Sequence, residues 1–434
     1  MIKSLRRLVR AGRDRRQVAA LKREWRRISS DAAAHPELHL IENDVLLIPP
    51  EPISLIGSKG DEAMLVSVIS HLKSSGRNID VAVGETWSTL PESLIAAGAN
   101  APLPIWDYKI ELGTVVPHLK KYKEIILIGA DVMDGYYSAS KSYRFLMIAD
   151  IATKLGRSAT ITGFSFNTKP AAALREIPFA EFARETRLCL RDPISLDRFR
   201  KLTNGLGTLT ADVAFLLQPE TNSPRLSDIQ SWAVGRREAG QFILGFNIHP
   251  ALLPNDEAAM GALIDASSSA LLNIVERQNV SVIFISHDAR ATSSDSLAMQ
   301  PVYDRIRSKF PDRVRFITAD HSAAELKAVA GLTDAVFTGR MHLSIAALGM
   351  GVPVAWATYQ GKFEGLAQHF GLPAWLLFDP AEARLEPHKL QVLLERMIAS
   401  QADLRRDVAN RLRDIKLLAS TNLPGAMMHS GDRE

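Results

Sequence analysis

The sequence predicts an α/β protein made of two parallel-sheet domains of similar size, and three observations carry that expectation. Short β-branched runs alternate with helical stretches from about residue 41 onward. The runs are continuously apolar rather than strictly alternating, as in strands covered on both faces. A polar segment with two prolines, QPETNSPRLSDIQS at 218–231, interrupts the series near its middle and reads as a linker. Alternation of this kind builds parallel sheets with helices on both faces. Each half is therefore Rossmann-like, and the two are expected to face one another across a cleft.

In the first half the expected strands are VLLI (45–48), IDVAVG (79–84), EIILIGAD (124–131), ATITGFSF (159–166), LCLRD (188–192) and ADVAFLL (211–217). Helical patterns occupy 62–74 and 141–155. In the second half the strands are FILGFNI (242–248), VSVIFISHD (280–288), VRFITAD (314–320), DAVFTGR (334–340) and PVAWATY (353–359). Helices are expected at 257–277, 323–330, 342–348 and 363–370, and the tail at 387–418 is helical before a frayed polar end. The expected division is a basic extension at 1–40, an N-terminal domain at 41–217, the linker at 218–231, a C-terminal domain at 232–385, and helices and tail at 386–434. Ligands of such sheets sit beyond the carboxyl ends of the strands, so the residues that end the runs are the candidates for function.

Composition bounds the rest. With 434 residues, 46% hydrophobic and 23% charged, the chain has the make-up of an ordinary globular protein. Cys189 stands alone, which excludes an intrachain disulfide and any cysteine-built zinc site. No uninterrupted apolar stretch reaches the roughly 18 residues of a spanning helix, and the basic N-terminus lacks the apolar run of a secretory signal. A cytoplasmic location is expected. The net charge of +4 is unevenly spread: residues 1–30 hold 11 Lys/Arg against Asp14 and Glu24, a net +9, which leaves −5 for the remainder.

Within that leader, Val18, Leu21, Trp25 and Ile28 fall on one face of a helix, as Ile2, Leu5 and Val9 do earlier. A basic amphipathic helix with a tryptophan on its apolar face can lie on an anionic membrane surface. The alternatives are a helix docked on its own protein and an arm that binds nothing. Nucleic acid is not expected as a partner, because the remainder is acidic and shows no interleaving of basic and aromatic residues.

Several catalytic devices are missing. There is no GxxxxGK[ST] loop, no GxSxG elbow, no GxGxxG fingerprint and no Asp-x-Asp. His35 and His39 are four apart, but Pro36 argues against the helix that would bring them together, and no metal is expected. The strongest constellation is DAVFTGRMHLSIAALGMGVPVAWATYQGKFEG at 334–365. A strand ends at Thr338-Gly339, and Arg340, Met341 and His342 open a helix whose first turn offers free N–H groups to an anion. Arg340 adds a bidentate fork for phosphate or carboxylate, His342 an imidazole that can hold or release a proton, and Lys362 a second cation past the next strand. The alternative is that Arg340 caps a neighbouring element and His342 is structural.

Three weaker signals accompany it. In LRDPIS, Arg191 ends a strand and would reach an anionic ligand from the other domain, unless it serves only a local turn network with Asp192. In GSKGDEAML, Gly57 to Gly60 form a loop before a helix whose first turn carries Asp61 and Glu62, either as dipole complements or as contacts to a substrate hydroxyl. In FISHDAR, His287 and Asp288 end a strand and could orient one another for proton transfer.

These residues resemble the signature of the polysaccharide pyruvyl transferase family. Its Arg-x-His, small-residue helix, Gly-x-Pro, strand-ending Tyr and following Lys are matched by Arg340-Met341-His342, Gly351-Val352-Pro353, Tyr359 and Lys362. GSKGDEAML is similar to its N-terminal Gly-Asn-x-Gly-Asp loop, with Ser58 for Asn. LRDPIS is similar to its Arg-Asp-x-x-Ser segment, and ADVAFLL to the Asp-centred strand after it. The order is kept over about 55–371. Where the family often has a glycine-rich loop, this chain has Gly129-Ala130-Asp131.

The resemblance implies a GT-B-like pair of domains and transfer of pyruvate from phosphoenolpyruvate, as co-substrate and without a cofactor, onto two hydroxyls of one sugar as a cyclic ketal. The acceptor would be a cell-surface or exopolysaccharide or its lipid-linked precursor. His342 is expected as acid/base with His287 second; Gly339, Arg340, Met341, Lys362 and Arg191 would hold the donor, and Asp61 and Asp131 the acceptor. A nucleotide-sugar glycosyltransferase on the same scaffold and a non-catalytic scaffold recruited to the membrane are the rival readings.

Overall fold

The computed structural model describes residues 2–34, 43–107, 110–290, 294–359 and 361–423, with side chains of the first segment at 14–32 and 34. The chain divides into two units: unit 1 takes residues 1–55, 64–216 and 417–434, and unit 2 takes 56–63 and 217–416.

Unit 1 begins α1 (Ile2–Ala34), β1 (Asn43–Ile48), α2 (Lys59–Ser74), β2 (Ile79–Ala82), α3 (Glu92–Ala97) and β3 (Pro102–Leu103). It continues α4 (Leu112–Leu119), β4 (Tyr122–Leu127), α5 (Ala139–Lys154), β5 (Ser158–Phe164), β6 (Arg187–Leu190), α6 (Pro193–Thr203) and β7 (Thr208–Leu209). Its strands form one parallel sheet in the order β3-β2-β1-β4-β5-β6-β7. The strand order reverses direction at β1, which pairs with both β2 and β4. Val45, Leu46, Leu47, Ile125, Ile126 and Leu127 are fully buried, as the unbroken apolar runs require.

Unit 2 runs α7 (Ser227–Glu238), β8 (Phe242–Asn247), α8 (Glu257–Arg277), β9 (Val280–Ile285), α9 (Ser296–Arg307), β10 (Val314–Ile317) and α10 (Ala323–Gly331). It closes with β11 (Ala335–Thr338), α11 (Met341–Gly349), β12 (Val354–Ala357), α12 (Phe363–Phe370), β13 (Leu377–Phe378), α13 (His388–Ala399) and α14 (Gln401–Ser420). The sheet order is β10-β9-β8-β11-β12-β13, again parallel throughout. Here the order reverses at β8, between β9 and β11, so the carboxyl ends of β8 and β11 flank the place where such sheets hold ligands. By length and composition α8 could cross a membrane, but half of its apolar window is buried, and it packs on α9 and α13.

Several expectations need correction. ADVAFLL is not a strand: Asp212 accepts a hydrogen bond from the Ala214 N–H at 2.9 Å and turns 213–216 into a short 3-10 helix. The strand that follows β6 is only Thr208–Leu209, which pairs with it on the side away from β5. Residues 218–231 are not a free linker, because Pro224 opens a turn that leads straight into α7. The segment 56–63 belongs with unit 2, although the sequence places it inside the first domain. The tail splits: α13 and most of α14 belong to unit 2, whereas Asn422 returns to unit 1, accepting from the Gly163 N–H at 2.7 Å and donating to the Ala211 carbonyl at 2.8 Å. His35, His39 and residues 424–434 lie outside the described residues.

The leader is a helix docked on its own protein. Val18, Leu21, Trp25 and Ile28 are buried against α5 and α4, so the apolar face that the sequence offers to a membrane is taken up internally. Trp25 is fully buried, and its indole N–H donates to Asp150 at 2.7 Å. Asp150 also accepts from the Ala183 N–H at 2.7 Å and pairs with Lys154 at 2.8 Å, which satisfies a carboxylate with no exposure of its own. Trp25→Ala is expected to cost about 3–5 kcal/mol, the usual penalty for emptying a large aromatic site. A urea unfolding curve of the full chain checks it.

Candidate active site

Unit 2 brings together at one place what the sequence scatters over 290 positions and more. The strand β11 ends at Thr338, whose hydroxyl donates to Asn247 at the end of β8 (3.0 Å) and accepts from the Arg340 N–H (2.9 Å). Asn247 in turn donates to the Ile285 carbonyl at the end of β9 (2.9 Å) and to Asp295 (2.8 Å). Asp295 stands just before α9, makes no side-chain cap there, and is fully buried. Its Oδ2 also accepts from the His287 N–H (2.7 Å), and its Oδ1 accepts from Arg340 Nε (2.9 Å) and Nη2 (2.5 Å). The remaining Nη1 lies 3.3 Å from Asp288, which Arg290 also grips.

Arg340 is thus held in a frame made by the ends of three strands and one loop. Burial opposes its charge, but Asp295 and Asp288 outweigh burial and keep the guanidinium firmly protonated. For Asp295 the balance goes the other way: burial raises its pKa despite Arg340. Arg340 occupies the cap position of α11 without capping it by its side chain.

The loop 56–63 completes this site. Ser58 pairs with Asp288 in an antiparallel bridge, and the Lys59 N–H reaches the His287 carbonyl at 3.4 Å. The amino end of α2 therefore arrives beside the amino end of α11. A Cβ on Gly60 would lie 2.1 Å from His342 Nδ1, so only glycine admits the imidazole there. Lys59 pairs with the buried Glu62 at 2.8 Å, and Asp61 sits in the same turn. Lys59, Arg290, Arg340 and Lys362 are matched by Asp61, Glu62, Asp288 and Asp295. An anion placed here would meet oriented groups, two helix ends and a fixed fork, rather than a surplus of net charge.

Three histidines share the site. His287 is 4% exposed, and burial, with His342, Arg340 and Lys59 nearby, drives its pKa well below the ordinary value, so it is neutral at pH 7. His249 is fully buried at the end of β8. Burial first and Arg340 next keep it neutral too. Its Nε2 lies 3.0 Å from the Gly339 carbonyl, which assigns the proton to that nitrogen and leaves Nδ1 as an unpartnered acceptor. Gly339 permits this approach, since a Cβ there would sit 2.7 Å from Leu252 and 3.0 Å from the imidazole. The Tyr359 ring meets His249 edge-on at 5.5 Å, and the buried Lys362 ammonium lies 5.0 Å over that ring. Met341 opens α11.

The sequence singled out Gly339, Arg340, Met341, His342, Lys362, His287 and Asp61, and all seven belong to unit 2. Arg191 and Asp131 belong to unit 1. Arg191 is buried at the end of β6, donating to Ser165 at 2.7 Å and to Asp212 at 2.7 Å. Burial works against its charge, but Asp212 and Asp131 more than offset it. Asp192 caps α6 through the Ser195 N–H at 2.7 Å. Asp131 follows β4 and accepts from Tyr137 at 3.3 Å. In the departure from the family loop, Gly129 is required because a Cβ would lie 2.3 Å from the Thr162 carbonyl, and Ala130 takes a left-handed φ of 47°.

Sequence reasoning missed Asn247, His249, Lys59 and Asp295. Asn247 and His249 end the run FILGFNIHP and obey the same strand-end rule that found Arg340. Asp295 sits in a serine-rich loop that carried no signal. Among the described residues no group of three His, Cys, Asp or Glu is arranged to hold a metal.

The sequence signature of the polysaccharide pyruvyl transferase family matches residues 59–361, from the first residue of α2 to just beyond the strand that follows α11. No curated protein matches the chain in sequence. Among solved structures, a UDP-N-acetylglucosamine 2-epimerase is similar at a TM-score of 0.54 and 12% identity, over 91% of this chain and 98% of that one. The UDP-GlcNAc 2-epimerase of Neisseria meningitidis aligns at 0.52 and 11%, over 87% and 98%. A calicheamicin glycosyltransferase aligns at 0.51 and 13%, over 87% and 95%. At such identities the likeness is one of fold, the GT-B type of paired parallel-sheet domains.

Two outcomes are expected of this geometry. His249 and His287 have folded pKa values below the 6.5 of the unfolded chain. The unfolded state therefore binds more protons, and the stability they contribute is present above about pH 6.5 and lost as the pH falls below it. Each adds at most about 1.4 kcal/mol per pH unit to the slope, so His249→Asn should flatten the decline in urea stability between pH 7 and pH 5 relative to the parent. Gly60→Ala should push His342 aside and lower the stability of the chain by roughly 1–3 kcal/mol, the usual cost of overpacking. A urea unfolding curve of the variant reads that loss.

Proposed function

We propose that this chain, which belongs to the polysaccharide pyruvyl transferase family, transfers pyruvate from phosphoenolpyruvate onto two hydroxyls of one sugar as a cyclic ketal. The acceptor is a cell-surface or exopolysaccharide, or its lipid-linked precursor. One observation carries the reading: the amino ends of α2 and α11 meet beside a guanidinium that Asp295 and Asp288 fix in place, with His342 between them. Phosphoenolpyruvate presents a phosphate and a carboxylate a few bonds apart, and such a site offers separate oriented partners to each.

In this reading the N–H groups in the first turn of α11, at Met341 and His342, take the phosphate together with Arg340, and Lys362 takes the carboxylate. His342 delivers a proton to the methylene carbon, which becomes the methyl group while C2 takes on oxocarbenium character. One sugar hydroxyl attacks C2 and gives up its proton, for which neutral His287 is the acceptor. The C2–O bond to phosphate then breaks, its electron pair leaves with the phosphate, and the second hydroxyl closes the ring and releases its own proton. One of the two released protons replaces the one spent on carbon, and the other leaves with the phosphate. Gly339 as a donor contact rests on the family resemblance. Arg191 as a further donor contact and Asp61 and Asp131 as acceptor contacts rest on the family resemblance.

Removing a preorganised charge donor of this kind costs about 2–4 kcal/mol. Arg340→Ala should therefore lose phosphoenolpyruvate binding by a factor of roughly thirty to a thousand. Calorimetric titration with phosphoenolpyruvate, inorganic phosphate, UDP and GDP tests this on parent and variant. Selective binding of phosphoenolpyruvate that the variant loses is the expected result. Binding of a nucleotide in its place would keep the fold and overturn the chemistry in favour of a nucleotide-sugar glycosyltransferase.

A further inference from the structure

The leader helix α1 sorts its charges by face. Asp14 and Glu24 are the only acids among residues 1–30. Both turn inward: Asp14 accepts from the Ala139 and Ser140 N–H groups at 3.1 and 3.2 Å and so caps α5, and Glu24 accepts from the Gly113 N–H at 2.8 Å in the first turn of α4. The apolar residues are buried on α5, as described above. What remains outward between residues 14 and 30 is Arg15, Arg16, Ala19, Ala20, Arg23, Arg26, Arg27 and Ser30, all exposed. Arg26 pairs with Glu181 and Arg27 lies 3.8 Å from Asp31, whereas among the described residues no ion pair engages Arg15, Arg16 or Arg23. In the sequence Arg6, Arg10 and Arg13 precede Arg16 at helical spacing, and α1 is helical from Ile2.

We propose that this outward face of α1 docks on an anionic lipid bilayer by charge alone, without inserting an apolar face. From Arg15 to Arg27 the exposed arginines run along about 18 Å of helix at 1.5 Å per residue, and such a row fits a flat sheet of negative headgroups. Residues 31–434 carry a net −5 and would be repelled by the same surface, so the arginine face is the one that approaches. The outward positions at 14–30 carry no aromatic ring on which a base would stack. Tyr136 and Tyr137, 54% and 48% exposed, stand just before the turn that Asp14 caps and suit a headgroup layer at that end. The surface is independent of the chemistry proposed for unit 2. It would hold the protein at the cytoplasmic face of a membrane, where anionic lipids and lipid-linked acceptors are concentrated.

The test is co-sedimentation of the full chain with vesicles of phosphatidylcholine alone or with about one-third phosphatidylglycerol. Deleting the leader would expose the seat of Trp25, so the variant of choice is the surface triple change Arg15→Glu, Arg16→Glu, Arg23→Glu, with an unchanged urea midpoint as its folding control. Binding is expected only with phosphatidylglycerol. It should fall steeply as salt rises from roughly 0.05 to 0.5 M and weaken at least tenfold in the variant. Equal binding to both vesicles, insensitivity to salt, an unaffected variant, or tighter binding to a nucleic acid than to the charged vesicles would each overturn the proposal.

Discussion

Asp295 and Arg340 form the ion pair on which the arrangement of unit 2 depends. The carboxylate has no exposure to water, and taking it there costs several kcal/mol unless every oxygen finds a partner. It finds four: two nitrogens of Arg340, the Asn247 amide and the His287 N–H. Those partners come from the ends of β8, β9 and β11, so the pair ties the carboxyl edge of the sheet to the loop before α9. Losing either member would strand the other as a buried charge, at about 3–5 kcal/mol. A guanidinium fixed in this way keeps its fork aimed before any ligand arrives, and preorganised charge of that kind is effective because nothing has to reorient during the reaction.

Two other features follow from the same need to satisfy buried groups. The first turn of α2 counts with unit 2 and the remainder of the helix with unit 1, because Ser58 and Lys59 pair with Asp288 and His287 while Met64, Leu65, Val68 and Ile69 fill the core of unit 1. The acids of α1 point inward because the open amino ends of α4 and α5 lie there and attract carboxylates. Between residues 14 and 30 the helix is therefore apolar and acidic on one side and cationic on the other.

The carboxyl ends of strands were the legible part of the sequence. Buried parallel strands read as unbroken apolar runs, and the residue after each run is a candidate, which is how Arg340, His342, His287 and Arg191 came to attention. The same rule extends to Asn247 and His249. Asp295 was not legible, because a loop aspartate before a helix reads as an N-cap and nothing in its neighbours marks it as buried. ADVAFLL was misread because its apolar residues fill the core as a strand's would. The Asp212 turn that ends the strand character depends on a side-chain bond that periodicity does not report. Trp25 was legible as one face of a helix, but what covers that face is decided by the Asp150 carboxylate in the middle of α5, 125 residues away.

In the reaction proposed above, the near balance of cations and carboxylates around Arg340 would bear on turnover as well as on binding. A pocket with a large positive surplus would hold inorganic phosphate as tightly as a phosphate ester and would release product slowly. Here the guanidinium is already shared with two aspartates, and His249 and His287 are kept neutral by burial, so little long-range attraction remains to retain a departing anion. Discrimination then falls to short-range geometry: the helix N–H groups, the fork and the imidazoles must all be met together by one ligand. In the reaction proposed above, phosphoenolpyruvate, with a second charged group and a carbon that accepts a proton, would meet them better than inorganic phosphate does. The neutral His287 would serve the same reaction, since it has a lone pair for a hydroxyl proton that a charged ring lacks.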